Sequence, residues 1–283
     1  MFNKDHLRIL EKGPQVWNER RRQHPRIKPK LRRALLVGAN LIQANLSDVD
    51  LERTSVVQCD LRGVDLQGSK LNRAQFWMCN LDEANLTGAA MMHTKVLQST
   101  LENTGLRCAI LRYAELEFVS LQSADLSETD LQNADIRAVD FMNCNFSGAQ
   151  IGETVFIGCS FKKAKGLDSV NHNKTSTVSV DTIYNSDGFL TPGFLEGSGI
   201  PRDLVNWLSK QHKSRGQFHS CFISYSSKDQ EFAQRLYTDL KFSNGVDCWF
   251  GPADLEIGER FPESIEGDPQ KAKASSRSLQ EFC

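Results

Sequence analysis

Eight thiols in a chain of 283 residues are enough for a metal centre or a redox pair. Their spacing argues against both. Cys59, Cys79, Cys108, Cys144, Cys159, Cys221, Cys248 and Cys283 include no C-x-x-C pair and no histidine at finger spacing. The six histidines are scattered, so no Ser/His/Asp set can be assembled from them. Neither a P-loop nor a dinucleotide-type glycine motif occurs. Four carboxylates, Glu256, Glu259, Glu263 and Glu266, gather late in the chain. They follow a strand-like run, Cys221 to Tyr225, whose end is marked by Ser226-Ser227-Lys228-Asp229 as turn and helix cap. No metal and no permanently bound cofactor are expected.

Composition sets the frame for these groups. Apolar residues make up 40% and charged residues 24%, which excludes wholesale disorder. The formal charge of −1 argues against a generally basic nucleic-acid binder, but it hides an uneven distribution. Residues 1–33 carry 11 Lys/Arg against 3 Asp/Glu, whereas residues 34–161 carry 8 against 16. Residues 115–153 hold eight carboxylates and one arginine. No apolar run approaches the ~20 residues that span a bilayer, and the charged start MFNKDHLRIL does not suit a signal peptide. A cytoplasmic protein without a membrane partner is expected.

Between residues 31 and 161 every fifth residue is apolar, at 27 positions without exception. At 40% apolar composition, chance gives this with odds on the order of 10⁻¹¹ in one phase. The position two residues earlier, from Ala34 to Ala164, holds only Ala, Thr, Val, Cys or Ser. Cys59, Cys79, Cys144 and Cys159 fall in this slot, where a free thiol acts as a small buried hydrophobe. The residue between the two slots is Asp or Asn in 12 of 27 units, which suits a corner.

A five-residue step smears around an α-helix and alternates faces on a flat strand. It works if the chain turns a corner at every step, so that four steps close a square coil. Nearly seven coils of 20 residues follow, stacked at ~4.8 Å into a rod roughly 32 Å long. One wall, at 36, 56, 76, 96, 116, 136 and 156, is β-branched and aromatic in part, while the others are mainly leucine. The late switch to Phe141, Phe146, Phe156 and Phe161 implies a differently packed core in the last coils.

The stretches LLVGANLIQANL, NLDEANLTGAA and SLQSADLSETDLQNADI resemble the A-(D/N)-L-x-x units of pentapeptide-repeat proteins. The resemblance implies a right-handed quadrilateral parallel β-helix over residues 31–165. Open coils need caps. Residues 1–30 are read as a helical cap, with helices either side of Gly13-Pro14 and Phe2, Leu7, Leu10 and Trp17 as its apolar contacts. Residues 166–217 are read as an irregular cap after the register break at Gly166-Leu167, a helix from Pro201, and a linker over Lys210 to Gln217. Arg20, Arg21, Arg22, Arg26, Lys28, Lys30, Arg32 and Arg33 are suited to phosphates or an acidic partner, but read first as a solvated capping helix.

From residue 218 the pattern becomes strand, helix, strand, loop, helix, the opening of a parallel α/β sheet. CFISYSSKDQEFAQRLYTDL with GVDCWFGPADLEIGERFPESIE resembles the first half of a TIR domain of bacterial type (Toll/interleukin-1 receptor homology). The resemblance implies a partial flavodoxin-like module over 218–266. It puts Phe222, Ser224, Tyr225, Ser226 and Asp229 beside a nucleotide cleft. It also puts Asp254, Leu255, Ile257 and Gly258 in the BB loop, through which TIR domains assemble. Many members cleave NAD⁺ at the nicotinamide–ribose bond, which makes NAD⁺ a candidate substrate. Their catalytic glutamate lies in a Ser-x-Trp-x-x-x-Glu-like helix that residues 267–283 do not contain. The expectation is a TIR signalling or defence protein interrupted by a frameshift or premature stop and inactive as an NAD⁺ nucleosidase. Two alternatives stand beside it: a non-enzymatic scaffold docking through the BB loop, and an acidic rod mimicking DNA for a topoisomerase such as gyrase.

Overall fold

A computed structural model describes residues 3–214, 220–225, 232, 234, 235 and 247–252. The chain divides into two units, Met1–Lys213 and Ser214–Cys283.

In the first unit the five-residue step turns a corner each time, as the periodicity predicts. The outer wall of each coil carries one short strand: β1 (Leu35–Val37), β2 (Ser55–Val57), β3 (Gln75–Trp77), β4 (Lys95–Leu97), β5 (Glu115–Glu117) and β6 (Asp135–Arg137). After them come β7 (Gln150–Ile151), β8 (Val155–Ile157), β9 (Asn171–His172) and β10 (Thr177–Val178). The strands pair in parallel, with Leu36 against Val56 and Val56 against Phe76, a register of one 20-residue coil. All 27 large apolar residues from Leu31 to Phe161 are buried along the axis. Of the small residues, only Ala39 and Ala164 are partly exposed.

Two devices make the corners. At eleven of the twelve Asp/Asn positions the side-chain oxygen accepts the N–H two residues on, as in Ile42 to Asn40 (3.1 Å) and Gln132 to Asp130 (3.1 Å). The exception, Asp135, binds Arg137 instead. The second device was not legible in the sequence. The residue two after each axial side chain has a left-handed backbone at all 27 positions, and only six of these are glycine. Each non-glycine residue there costs roughly 1 kcal/mol. The ladder offsets this cost, because the same residue donates to the next coil, as in Arg33 to Glu52 (2.9 Å) and Gln43 to Arg62 (2.9 Å).

Helices α1 (Lys4–Leu10) and α2 (Pro14–Gln23) close the first coil and bury Leu10 and Trp17. Backbone carbonyls on that coil have no preceding coil to bond, so side chains do it. Trp17 Nε1 donates to Asn45 O (2.6 Å), Asn18 Nδ2 to Gln43 O (2.9 Å) and an Arg21 guanidinium nitrogen to Ser47 O (2.8 Å). Of the basic arm, Arg21 thus takes part in closing the first coil.

At the other end the register slips. Ile151 faces His172 and Phe156 faces Val178, offsets of 21 and 22 residues. The slip begins at Gly166, which has a left-handed backbone and where an added Cβ would lie 2.5 Å from the Ser147 nitrogen. Helices α3 (Val180–Asn185) and α4 (Pro192–Gly197) then lie beyond the last coil, and α4 inserts Phe194. Helix α5 spans Arg202–Ser214. It starts one residue after Pro201 and runs five residues into the segment read as a linker. Its amphipathic pattern continues past Lys210 although the composition of 210–217 is polar.

Both ends contain a histidine held neutral. His6 Nδ1 accepts the Lys30 N–H (3.1 Å), a bond that requires the unprotonated nitrogen. Burial, then the nearby Arg20 charge, lowers the His6 pKa, and burial lowers that of His172. The unfolded chain therefore takes up protons first, below about pH 6.5. The melting temperature should fall between about pH 7 and about pH 5, and the H6Q/H172Q variant should show a shallower fall. A melting temperature independent of pH across that window would contradict this assignment.

Candidate functional site

In the second unit β11 (Ser220–Tyr225) and β12 (Asp247–Pro252) pair in parallel, as the strand–helix–strand reading requires. β12 runs to Gly251 and Pro252. The register sets Phe222 against Trp249, Ser224 against Gly251 and Tyr225 against Pro252. Ser224 and Tyr225 thus end the first strand beside Gly251 and Pro252, the last residues of the second. In parallel α/β sheets this carboxyl edge is where ligands sit. Phe232, Gln234 and Arg235 are helical, in the segment read as the helix between the strands. Ser226, Asp229, Asp254, Leu255, Ile257 and Gly258 lie outside the described residues, as do Glu256, Glu259, Glu263 and Glu266.

The rod offers no thiol chemistry along its axis. Cys59, Cys79, Cys144 and Cys159 are buried, and their sulfurs point at a carbonyl one coil back, such as Leu121 O for Cys144 (2.8 Å). Threonines in the same slot do likewise: Thr54 donates to Leu31 O and Thr129 to Leu106 O. The slot thus selects for small size, and where the side chain carries a donor, as in Thr and Cys, it is spent on a carbonyl of the preceding coil. Burial pushes Cys79 and Cys159 up to about 11 and Cys144 up to about 12. Cys108 is exposed, 3.4 Å from a Glu128 oxygen. N-ethylmaleimide should therefore modify Cys108 in the native protein and the four axial thiols only after denaturation, as read by peptide mass mapping. Native labelling of Cys144 would refute the axial placement.

Charge on the rod is sorted by face. Arg62, Lys95, Arg107 and Arg137 each pair with a carboxylate, at 2.6–2.8 Å. Among the described residues Arg33, Lys70 and Arg73 make no such pair, and all three lie on or beside the wall centred on Leu31, Leu51 and Leu71. Arg33, Arg53, Arg73 and His93 occupy the same corner in successive coils, and His93 stacks on Tyr113 at 4.9 Å. The opposite wall carries Asp82 and Glu83, whose charges act on Arg62 one coil back, and Glu102, which accepts from Ser120 Oγ (2.9 Å). The overall count concealed this sorting, because it averages the two faces.

Comparison with known proteins agrees with both halves of the reading. The family described as pentapeptide repeats matches in eight copies, at residues 30–63, 59–96 and 109–148. The family described as TIR domain matches residues 221–275, nine residues beyond the boundary read at Glu266. The chain thus carries pentapeptide repeats and a TIR-domain segment. Among solved structures it is similar to QnrB1, a plasmid-mediated fluoroquinolone resistance protein, at 17% identity over 48% of this chain and 78% of that one, with a TM-score of 0.44. It is also similar to the pentapeptide repeat protein Rfr23 from the cyanobacterium Cyanothece 51142, at 26% identity over 40% and 88%, TM-score 0.35. HetL, a pentapeptide repeat protein involved in heterocyst differentiation regulation from Nostoc sp. strain PCC 7120, shares 24% identity over 52% and 82%, TM-score 0.21. No curated protein matches the chain.

Proposed function

We propose that this is a TIR-type signalling or defence protein in which the repeat rod is the binding scaffold and the TIR segment the output. The segment docks onto other TIR domains, or onto another copy of itself, through Asp254, Leu255, Ile257 and Gly258. Many members of the TIR family cleave NAD⁺, and Phe222, Ser224, Tyr225, Ser226 and Asp229 are the residues that would meet that nucleotide. The role proposed for this segment is docking, because the Ser-x-Trp-x-x-x-Glu motif that carries the family's catalytic glutamate is not among residues 267–283. The observation that carries this reading is the parallel β11–β12 pair within a segment that matches the TIR family.

The test is incubation of the full chain with NAD⁺ at high protein concentration, with nicotinamide followed by chromatography. None is expected. Nicotinamide release would overturn the binding-only reading and make Glu256, Glu259, Glu263 and Glu266 the groups to replace.

A further inference from the structure

The outward face of the eight-stranded sheet is unusual for a solvated wall. In register, one per coil, stand Val37, Val57, Trp77 and Leu97. Val37 is 60% exposed and Trp77 49%. Leu35 and Met78 widen the stripe on either side, and both are exposed. Isolated exposed apolar residues need no explanation, but a continuous stripe on a rigid sheet marks a contact surface. At ~4.8 Å per coil the stripe is roughly 15–19 Å long.

Its borders say what fits. Along one edge, two residues from Leu35 and its counterparts, runs the corner of Arg33, Arg53 and Arg73. Arg33 and Arg73 have no carboxylate partner among the described residues. Below the stripe Leu97 is followed in register by Glu117, and Lys95 by Glu115. Glu115 is paired with Lys95 and Asp135 with Arg137, which leaves Glu117 as the carboxylate at this end of the face that opposes an extended anionic surface such as a membrane or a nucleic-acid duplex. A second copy fits poorly as well. Facing rods running the same way set Glu115 and Glu117 against each other, and rods running opposite ways set arginine corner against arginine corner.

We propose that this face, the outer side of β1 to β4 with its arginine edge, is a docking site for an acidic amphipathic helix of a partner protein. The helix lays its apolar stripe on Val37, Val57, Trp77 and Leu97 and sets carboxylates along one flank against Arg33 and Arg73. About 12 residues of helix, at 1.5 Å each, cover the length of the stripe. This deepens the scaffold reading above. Its test reads peptide binding and not nicotinamide release, so the two can fail separately.

The experiment is a fluorescence-anisotropy titration of the full chain against a fluorescein-labelled amphipathic helix of about 14 residues with a leucine stripe and a glutamate flank. A sister peptide carries lysine for glutamate. The Leu/Glu peptide should bind and the Leu/Lys peptide should not. W77A and R73E, both at exposed positions, should each weaken binding by about tenfold or more. R107E, on the wall across the axis, should leave it unchanged, and melting curves should show all three variants folded. Equal binding of both peptides, no binding of either, or indifference to W77A and R73E would overturn the proposal. So would Trp77-dependent self-association in sedimentation velocity, or Trp77-dependent binding to phosphatidylserine vesicles, since each assigns the face to a different occupant.

Discussion

Replacing Leu66 with aspartate should abolish the folded rod, whereas Q67E next to it should leave the melting temperature nearly unchanged. Leu66 is 1% exposed on the axis, and Gln67 points to solvent from the same wall. The substitution removes a buried leucine, which alone costs about 2–5 kcal/mol. It also places a carboxyl group where the surrounding positions are apolar, so the group must stay protonated or draw water into the axis. The same reasoning holds for Leu86, one coil on and 0% exposed. Loss of β-rich circular dichroism, or expression only as insoluble material, is the expected result. A soluble L66D protein with wild-type melting would show that the large residues do not fill the axis.

The second large effect belongs to the far end of the rod. Phe161 lies against Phe141, Phe146, Phe156 and Phe194, with ring centroids 4.9, 5.4, 5.4 and 5.6 Å away. Four of these five rings come from the last coils, and the fifth is delivered by α4. Truncating the central ring by F161A should cost about 3–5 kcal/mol, because the cavity is walled by rings that cannot all move inward. F194A should cost a similar amount and also loosen α4, raising amide exchange there before it rises in the early coils. A loss below about 1 kcal/mol for F161A would mean that the last coils are held by their ladder alone.

Most of this architecture can be read from residue order. The axial positions and the small slot follow from period five because each wall has room for one large and one small side chain per step. The aromatic end was foreshadowed by the switch from leucine to phenylalanine, though not the arrival of Phe194 from a helix beyond the register break. The left-handed corners left no trace. Residues as unlike as Arg53, Met78 and Phe118 occupy them, because the ladder enforces the conformation and the side chain only tolerates it. The sorting of charge was equally hidden, since Arg33, Arg53 and Arg73 become neighbours only once the coil length is applied. In the TIR segment the strand pairing was legible, and Phe222, Ser224 and Tyr225 lie on the first strand as expected. The remaining proposed contacts fall on residues outside those described.

The fixed register also limits how such a molecule can change in length. Inserting or deleting one residue inside coils one to six would turn every later axial side chain outward, and five residues would rotate every later wall by a quarter turn. Only whole sets of 20 leave each wall aligned, so the rod can be lengthened or shortened in increments of ~4.8 Å. Offsets of 21 and 22 at Ile151–His172 and Phe156–Val178 mark where this arithmetic is abandoned. Duplication of a coil is therefore tolerable before Gly166 and not after it, and the distance from the α2 cap to the aromatic end becomes a discrete, heritable dimension.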